Sequence, residues 1–438
     1  MSPSLTPTVS AYGPGKRHGH LLPSLTPELY PRSGMGFAPI YVLRCLILIL
    51  TFAIWLPIEA VAQAPAPTTS RPDNGWRWTT SATGFFGLNY QQRKFTDFRK
   101  WESQNWLMGV GERKVSRGVL MVTSMLSLEP FTMQKLGSPQ VFQGGETYRG
   151  APLIDYQHPH DLLMEFSGDY RQPVGPASLH FSAALVVPAA YGPPVFMHRP
   201  SAVDNPQVPL SHHYMDSTHM SDGVLRTGVD VGQLSVDASW FRGREPDDNH
   251  TDIDVGALDS WSVRGMWTRG SWSVQLSGAH LRKPEVLEPF DHTKLSASIS
   301  HAWSGAGPSV DTMIAWGENR EIHGNLDAYL AETHAQLTMR DAIYGRAELA
   351  AKDQLDKGGF HPIGFLHPHR ISRVAAFTAG YVRDVAATPH GRVGIGGDVA
   401  SYWIAPNLRD SYGRPFSYHV FVRLRSTPGA ASAHAHTH

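Results

Sequence analysis

The chain has 438 residues, balances 38 Lys and Arg against 38 Asp and Glu, and contains 23 His but a single Cys. Balanced charge gives no reason to expect nucleic acid or an anionic surface as a partner. One cysteine excludes both disulfide frameworks and thiolate-built zinc sites.

In chain order, the first feature is the apolar run "CLILILTFAIWL" from Cys45 to Leu56, which follows Arg44 and leads into "IEAVAQAPAP". It is too short for a transmembrane helix of about 20 residues and suits the apolar region of a signal peptide. Ala60-Val61-Ala62 supplies a small-x-small cleavage site, so the mature chain is expected to begin near Gln63 and to lack cysteine. Met35 is a candidate true start, because it leaves a signal of about 28 residues. An uncleaved anchor is the alternative. "VLRC" lies before the apolar run, the wrong side for a lipobox, so no lipoprotein is expected. Residues 1–62 are thus read as N-terminal extension and signal peptide, 63–75 as a periplasmic linker, 76–425 as one folded unit and 426–438 as a His-containing tail.

After the linker, apolar residues recur at every second position and no 3.6-residue stripe appears. In "QLSVDASWF", Leu234, Val236, Ala238 and Trp240 share one face and Ser235, Asp237 and Ser239 the other. "AYLAETHAQLTM", "AIYGRAELA" and "FSYHVFVRLR" repeat the pattern, the last with Phe416, Tyr418, Val420, Val422 and Leu424 opposite His419, Arg423 and Arg425. Such segments number about sixteen, each near the length a tilted membrane-crossing strand needs. Their expected starts are Ser81, Glu102, Arg117, Asp161, Ala177, Asp222, Gln233, Leu258, Ser271, Thr293, Ser309, Ala328, Ala342, Ser372, Gly391 and Phe416. Connections alternate short and long, with long ones expected over roughly 129–160, 189–221, 243–257, 282–292, 318–327, 352–371 and 403–415. Loops sorted in this way fit an outer-membrane barrel, with tight periplasmic turns and long external loops.

The fold expected is therefore all-β: a transmembrane antiparallel β-barrel of about sixteen strands, preceded by a signal peptide and placed in the outer membrane of a Gram-negative bacterium. The partners expected are outer-membrane lipid, the barrel-assembly machinery and a metal ion. Trp76, Trp78, Trp101, Trp106, Trp240, Trp261, Trp267, Trp272, Trp303 and Trp403 are expected in the aromatic girdles. The last strand ends at Arg425, where such barrels often have an aromatic residue.

Candidate site residues concentrate in two long loops. One carries His158, His160 and Asp161 after Asp155; the other carries His198, Asp204, His212, His213, Met215, Asp216 and His219. Imidazole suits zinc, copper and nickel, and thioether sulfur suits Cu(I), so His158, His160, Asp161, His198, His212, His213, Met215, Asp216 and His219 are the metal-ligand candidates, for copper or zinc. The bland alternative is that these polar groups hold the loops in the lumen by hydrogen bonds and constrict the pore without any metal. Glu245, Asp247, Asp248, Asp252 and Asp254 depart from EF-hand spacing and read as a solvated acidic loop, with Ca²⁺ as the alternative. His434, His436 and His438 read as a disordered tail. The mixed charges of Arg226, Asp230, Asp237, Arg264, Glu332, Arg346, Glu348 and Arg423 read as pore lining or lumen salt bridges, without clear ion selectivity.

"GETYRGAPLIDYQHPHDLLMEF", "FMHRPSAVDNPQVPLSHHYMDSTHMSDGV" and "FRGREPDDN" together resemble a largely uncharacterised group of bacterial outer-membrane barrel proteins associated with heavy-metal (copper or silver) resistance systems. The resemblance spans about Trp76 to Arg425 and implies a metal connection by context, without assigning ligands. The function expected is a channel or metal-associated porin-like protein whose His/Met/Asp-rich loops bind or pass a transition-metal ion. The alternative is a structural or general diffusion barrel. An outer-membrane hydrolase is a third reading, disfavoured because the sequence has no GxSxG elbow or HExxH helix, so no enzyme is expected.

Overall fold

A computed structural model describes residues 75–286, 290–305, 307–322, 324–355 and 370–427. The proposed signal peptide, nearly all of the linker, and the tail beyond Thr427 lie outside the described residues, as does most of the loop expected over 352–371.

In chain order the strands are β1 Arg77–Arg93, β2 Thr96–Glu102, β3 Asn105–Val115, β4 Gly118–Leu126, β5 Ser138–Tyr148, β6 Ala151–Gln157, β7 Leu163–Val174, β8 Ala177–Val187, β9 Ser221–Val231 and β10 Leu234–Phe241. They continue as β11 Ser260–Arg269, β12 Trp272–Leu281, β13 His292–Ser304, β14 Ser309–Glu321, β15 Gly324–Gln336, β16 Asp341–Lys352, β17 Ser372–Ala387, β18 Gly391–Ile404 and β19 Phe416–Ser426. Seventeen of them form one antiparallel sheet, and β5 with β6 forms a separate hairpin. The sheet closes because β1 pairs with β19, Leu88 opposite Val420. Its other edge divides: Arg77 to Gly84 pair with β3, and Gly87 to Arg93 pair with β2. β2 and β3 are thus one barrel strand interrupted at Ser103 and Gln104, and the barrel has sixteen strands.

Alternation explains which face each residue takes. On β19, Ser417, His419, Phe421 and Arg423 are buried in the interior while Phe416, Val420 and Val422 are exposed outward. Leu225, Trp240, Leu276, Ile314, Phe377 and Val399 add to an apolar outer surface of a kind water does not tolerate at this extent and a bilayer does. Most of the expected tryptophans lie on that surface, but Trp106 does not. It turns inward against His198, with ring centroids 4.9 Å apart. Arg425 also faces inward, and its ion pair with Asp204 shows what a cationic end to the last strand does here.

Every expected strand is present, and several starts coincide with those expected. The clearest departure is at 318–327, where β14 runs on to Glu321 and β15 begins at Gly324, so a tight connection replaces a long loop. β1 and β2 are likewise joined only by Lys94 and Phe95.

The apolar core lies inside the barrel, because two long loops fold into it. Loop A, residues 127–162, begins with the helical turn Glu129–Thr132 and contains the β5–β6 hairpin. Loop B, residues 188–220, carries the helical turn His212–Met215 and the 3₁₀ turn Ser217–Met220. Phe142 of loop A and Leu210 of loop B pack with Val374, Ile404, Leu408 and Tyr412 in one cluster. Tyr214 and Met215 pack on Met313, Ala315, Leu330 and Ala350 of the barrel wall in another.

Candidate functional site

Loop B is fastened to one side of the lumen by buried ion pairs. Arg199, 2% exposed, donates from Nε to Glu332 Oε1 on β15 at 2.7 Å and from Nη1 to Asp216 Oδ2 at 2.7 Å. Arg346 of β16 donates to Glu332 Oε2 at 3.2 Å and to the Gln207 carbonyl at 2.7 Å. Asp204, fully buried, accepts from His334 at 2.8 Å and pairs with both Arg423 and Arg425 of β19. Ser211 donates through its backbone N–H and its hydroxyl to Glu348, and Lys294 donates to the His213 carbonyl at 2.9 Å. Burial alone would push the Asp204 carboxyl up, but Arg425, the His334 hydrogen bond and Arg423 outweigh it and hold the acid well below the usual carboxylate range.

The opposite side of loop B meets a different surface. Met108 and Val110 of β3, Met125 of β4 and Met164 of β7 form a buried cluster with Met220, and Trp106, Met121 and Met197 pack against it. An apolar, sulfur-rich patch on a lumen face departs from the polar interior usual in such barrels.

Between the two surfaces three imidazoles meet. The His212 and His219 ring centroids are 4.8 Å apart and those of His160 and His219 are 5.4 Å apart. Each ring has its Nδ1 on an acceptor: His160 on Glu129 Oε2 at 2.8 Å, His212 on Asp216 Oδ1 at 2.7 Å, and His219 on the Asp216 backbone carbonyl at 3.0 Å. His219 Nε2 is buried and has no hydrogen-bond partner among the described residues. Burial, then the neighbouring His212 and His160, push its pKa well below the ordinary histidine value, so it is neutral. Burial would raise Glu129 and Asp216, but His160 outweighs it at the first, and His212 with Arg199 at the second, so both stay low.

Local backbone makes these positions available. Gly192, at φ +71°, lies so near the Met215 carbonyl that a Cβ would sit 1.7 Å from the oxygen. Gly137, at φ +79°, is similarly placed, a Cβ there falling 1.9 Å from the Gln157 carbonyl oxygen, and lets loop A fold back on the segment that carries His158 and His160. A third connection, residues 242–259, covers this end: the His250 backbone carbonyl accepts from Leu162 N–H at 2.8 Å, and the His250 ring meets Asp161 Oδ1 at 2.7 Å.

Of the nine metal-ligand candidates, the structure brings His160, His212 and His219 together, with Asp216 behind two of the rings. His158 lies beside His250 with centroids 5.5 Å apart, Asp161 pairs with His250, and His198 lies on Trp106. His213 adjoins the His212 ring at 5.3 Å and faces Glu245 at 3.9 Å. Met215 is buried among apolar side chains of the wall. Sequence reasoning missed Glu129, Arg199 and His250; it placed Glu332 on the lumen face by alternation but did not supply its partner in loop B. The usable signal for Arg199 is its place among the acids of loop B; Glu129 is far from the histidines in sequence and carries no such signal.

Two cavities flank loop B. One, of about 40 Å³, is lined by Trp106, Glu129, His158, His160, Met197 and Val208; the other, of about 70 Å³, by Met108, Glu165, His198, Asp216, His219 and Arg264, among others. Spaces of this size hold a few waters and no sugar-sized solute. Among the described residues, the one set of three His, Cys, Asp or Glu ligand atoms lying within 4.8 Å of one another is Asp247, Asp252 and Asp254, in the third connection. Two of these acids are exposed, as a solvated acidic loop would have them.

No protein-family model and no curated protein matches the chain. Solved structures do match. The high-pH structure of Pseudomonas putida OprB aligns at 7% identity and a TM-score of 0.51, covering 81% of this chain and 94% of that one. The outer membrane channel DcaP of Acinetobacter baumannii aligns at 9% identity and a TM-score of 0.48, over 81% and 99%. An anion-selective porin from Comamonas acidovorans aligns at 9% and 0.46, over 80% and 100%. At these identities the likeness concerns fold alone: a closed antiparallel β-barrel.

Proposed function

We propose that the protein is a narrow outer-membrane channel whose bore is set by loops A and B, which restrict passage to ions and small hydrophilic solutes. The observation that carries this reading is the fastening of loop B across the lumen through Arg199–Glu332, Asp204–Arg423 and Ser211–Glu348. Buried charges paired on several strands are costly to separate, so the loop is a fixed part of the bore. The apolar outer surface supports the outer-membrane location, and no reaction is assigned to the channel. Single-channel conductance in planar bilayers tests the reading. The native protein is expected to conduct less than an open sixteen-stranded porin measured beside it, and Arg199→Ala with Asp204→Ala to conduct more; a large native conductance unchanged by the double substitution would contradict it.

A second reading, that the loop pair binds or passes a transition-metal ion, is favoured by the meeting of His160, His212 and His219. A general diffusion barrel accounts for the ion pairs equally well but gives no role to three imidazoles turned on one another.

A further inference from the structure

We infer that His160, His212 and His219 form a three-imidazole site for one divalent transition-metal ion of the zinc, copper or nickel kind, with Glu129 and Asp216 as the groups that orient the rings. The inference rests on the metal-binding reading and is independent of whether the barrel conducts.

A backbone carbonyl can only accept, so His219 Nδ1 carries the hydrogen of its 3.0 Å bond to Asp216 and the lone pair is left on Nε2. That Nε2 is buried and has no partner among the described residues, and an unsatisfied buried lone pair is costly unless something electrophilic meets it. Glu129 and Asp216 hold the Nδ1 atoms of His160 and His212 in the same way, at 2.8 and 2.7 Å. A metal-binding histidine ordinarily donates its other nitrogen to a carboxylate or carbonyl, which fixes the tautomer and raises the basicity of the ligand. Here all three rings have that arrangement.

The supports are held by different parts of the barrel. Glu129 also accepts from the backbone N–H of His160 at 2.9 Å, so its carboxylate fixes both the ring and the chain that carries it. Asp216 is held from behind by Arg199, which Glu332 holds in turn. Two carboxylates, Glu129 and Asp216, also lie beside the rings and offset the charge of a divalent ion. Three nitrogen donors with a fourth position open match the ligand preference of zinc and its neighbours and not that of calcium or magnesium, which take oxygen.

The rings are not yet closed to bonding distance. The three imidazoles are not among the groups whose ligand atoms all lie within 4.8 Å, whereas nitrogens around one zinc ion at about 2.0–2.1 Å from the metal stand closer together than that. The rings therefore draw inward on binding, by side-chain rotation within loops whose backbones are already fixed.

The test uses the full chain, refolded in detergent, with His434, His436 and His438 changed to Gln in every version so that the tail cannot bind. Co²⁺ is titrated and followed by its visible d–d absorption, with Zn²⁺ as competitor and heat-modifiable gel migration as the check on folding. One Co²⁺ per chain is expected, with the intense bands of low coordination and displacement by Zn²⁺. His219→Gln and His160→Gln are each expected to weaken binding at least tenfold, and Glu129→Gln by roughly 10–100-fold as an orienting group. His301→Gln, on β13 against Trp272, is expected to change nothing. Absence of bands in the folded parent, or unchanged binding in both folded His219→Gln and His160→Gln, would overturn the inference. Conductance of the same preparations in chelator separates this outcome from failure of the channel reading.

Discussion

Loop B has two sides, and the barrel meets them with different chemistry. On β15, β16 and β19 the lumen presents Glu332, His334, Arg346, Glu348 and Arg423, all buried and all bonded to the loop or to one another. On β3, β4 and β7 it presents Met108, Val110, Met125 and Met164, against which Met197 and Met220 pack. The charged side fixes the loop's register, because an ion pair between named partners has one geometry. The sulfur-rich side fixes only its distance, because thioether packing is adaptable. Where the two meet, the imidazoles of His160, His212 and His219 are held by polar groups on one flank and by packing on the other.

That contrast can be broken at its strongest point first. Glu332→Ala leaves Arg199 and Arg346 buried beside no carboxylate at this position, and is expected to cost about 3–5 kcal/mol. Its signature is a lower temperature of heat-modifiable gel migration together with a raised single-channel conductance as loop B loosens. Met125→Ala on the other side is expected to cost on the order of 2–4 kcal/mol through the cavity it leaves, with conductance unchanged; an opened channel there would show that packing, and not charge, sets the bore. Met125→Leu keeps the volume and should cost less than about 1.5 kcal/mol, measured by the same thermal shift.

The smallest expected effect is that of mild acid. The folded Asp204 carboxyl is depressed, so the stability it contributes is fully present above its unfolded value of about 3.9 and is lost only as pH falls through the lower folded value. Conductance should thus hold constant from pH 8 to about pH 5 and rise only under about pH 4.

Strands were legible in the sequence because period-two alternation is local: Leu234, Val236, Ala238 and Trp240 declare an outward face without reference to any partner. The tight β14–β15 connection was not, since the residues from Glu318 to Asp327 are polar enough for a loop and become strand only by pairing, Glu318 opposite Asp327. Trp106 misled for a related reason. Its type suits a membrane interface, but its parity on β3 puts it with the inward Met108 and Val110. The histidine-bearing loops were visible by composition alone, and composition could not say which histidines meet. His158 and His160 are two residues apart, yet one ring lies on His250 and the other against His219.

By itself, then, the sequence determined the all-β class, the strand number and the outward face of the clearly alternating strands, because the pattern that reports them is local. Which way the long loops fold was decided only by the closed barrel. Glu332 lies 133 residues from Arg199, and Arg423 lies 219 from Asp204. Such pairs exist only once sixteen strands have placed their inward charges around one space, and the convergence of His160, His212 and His219 follows from the same closure.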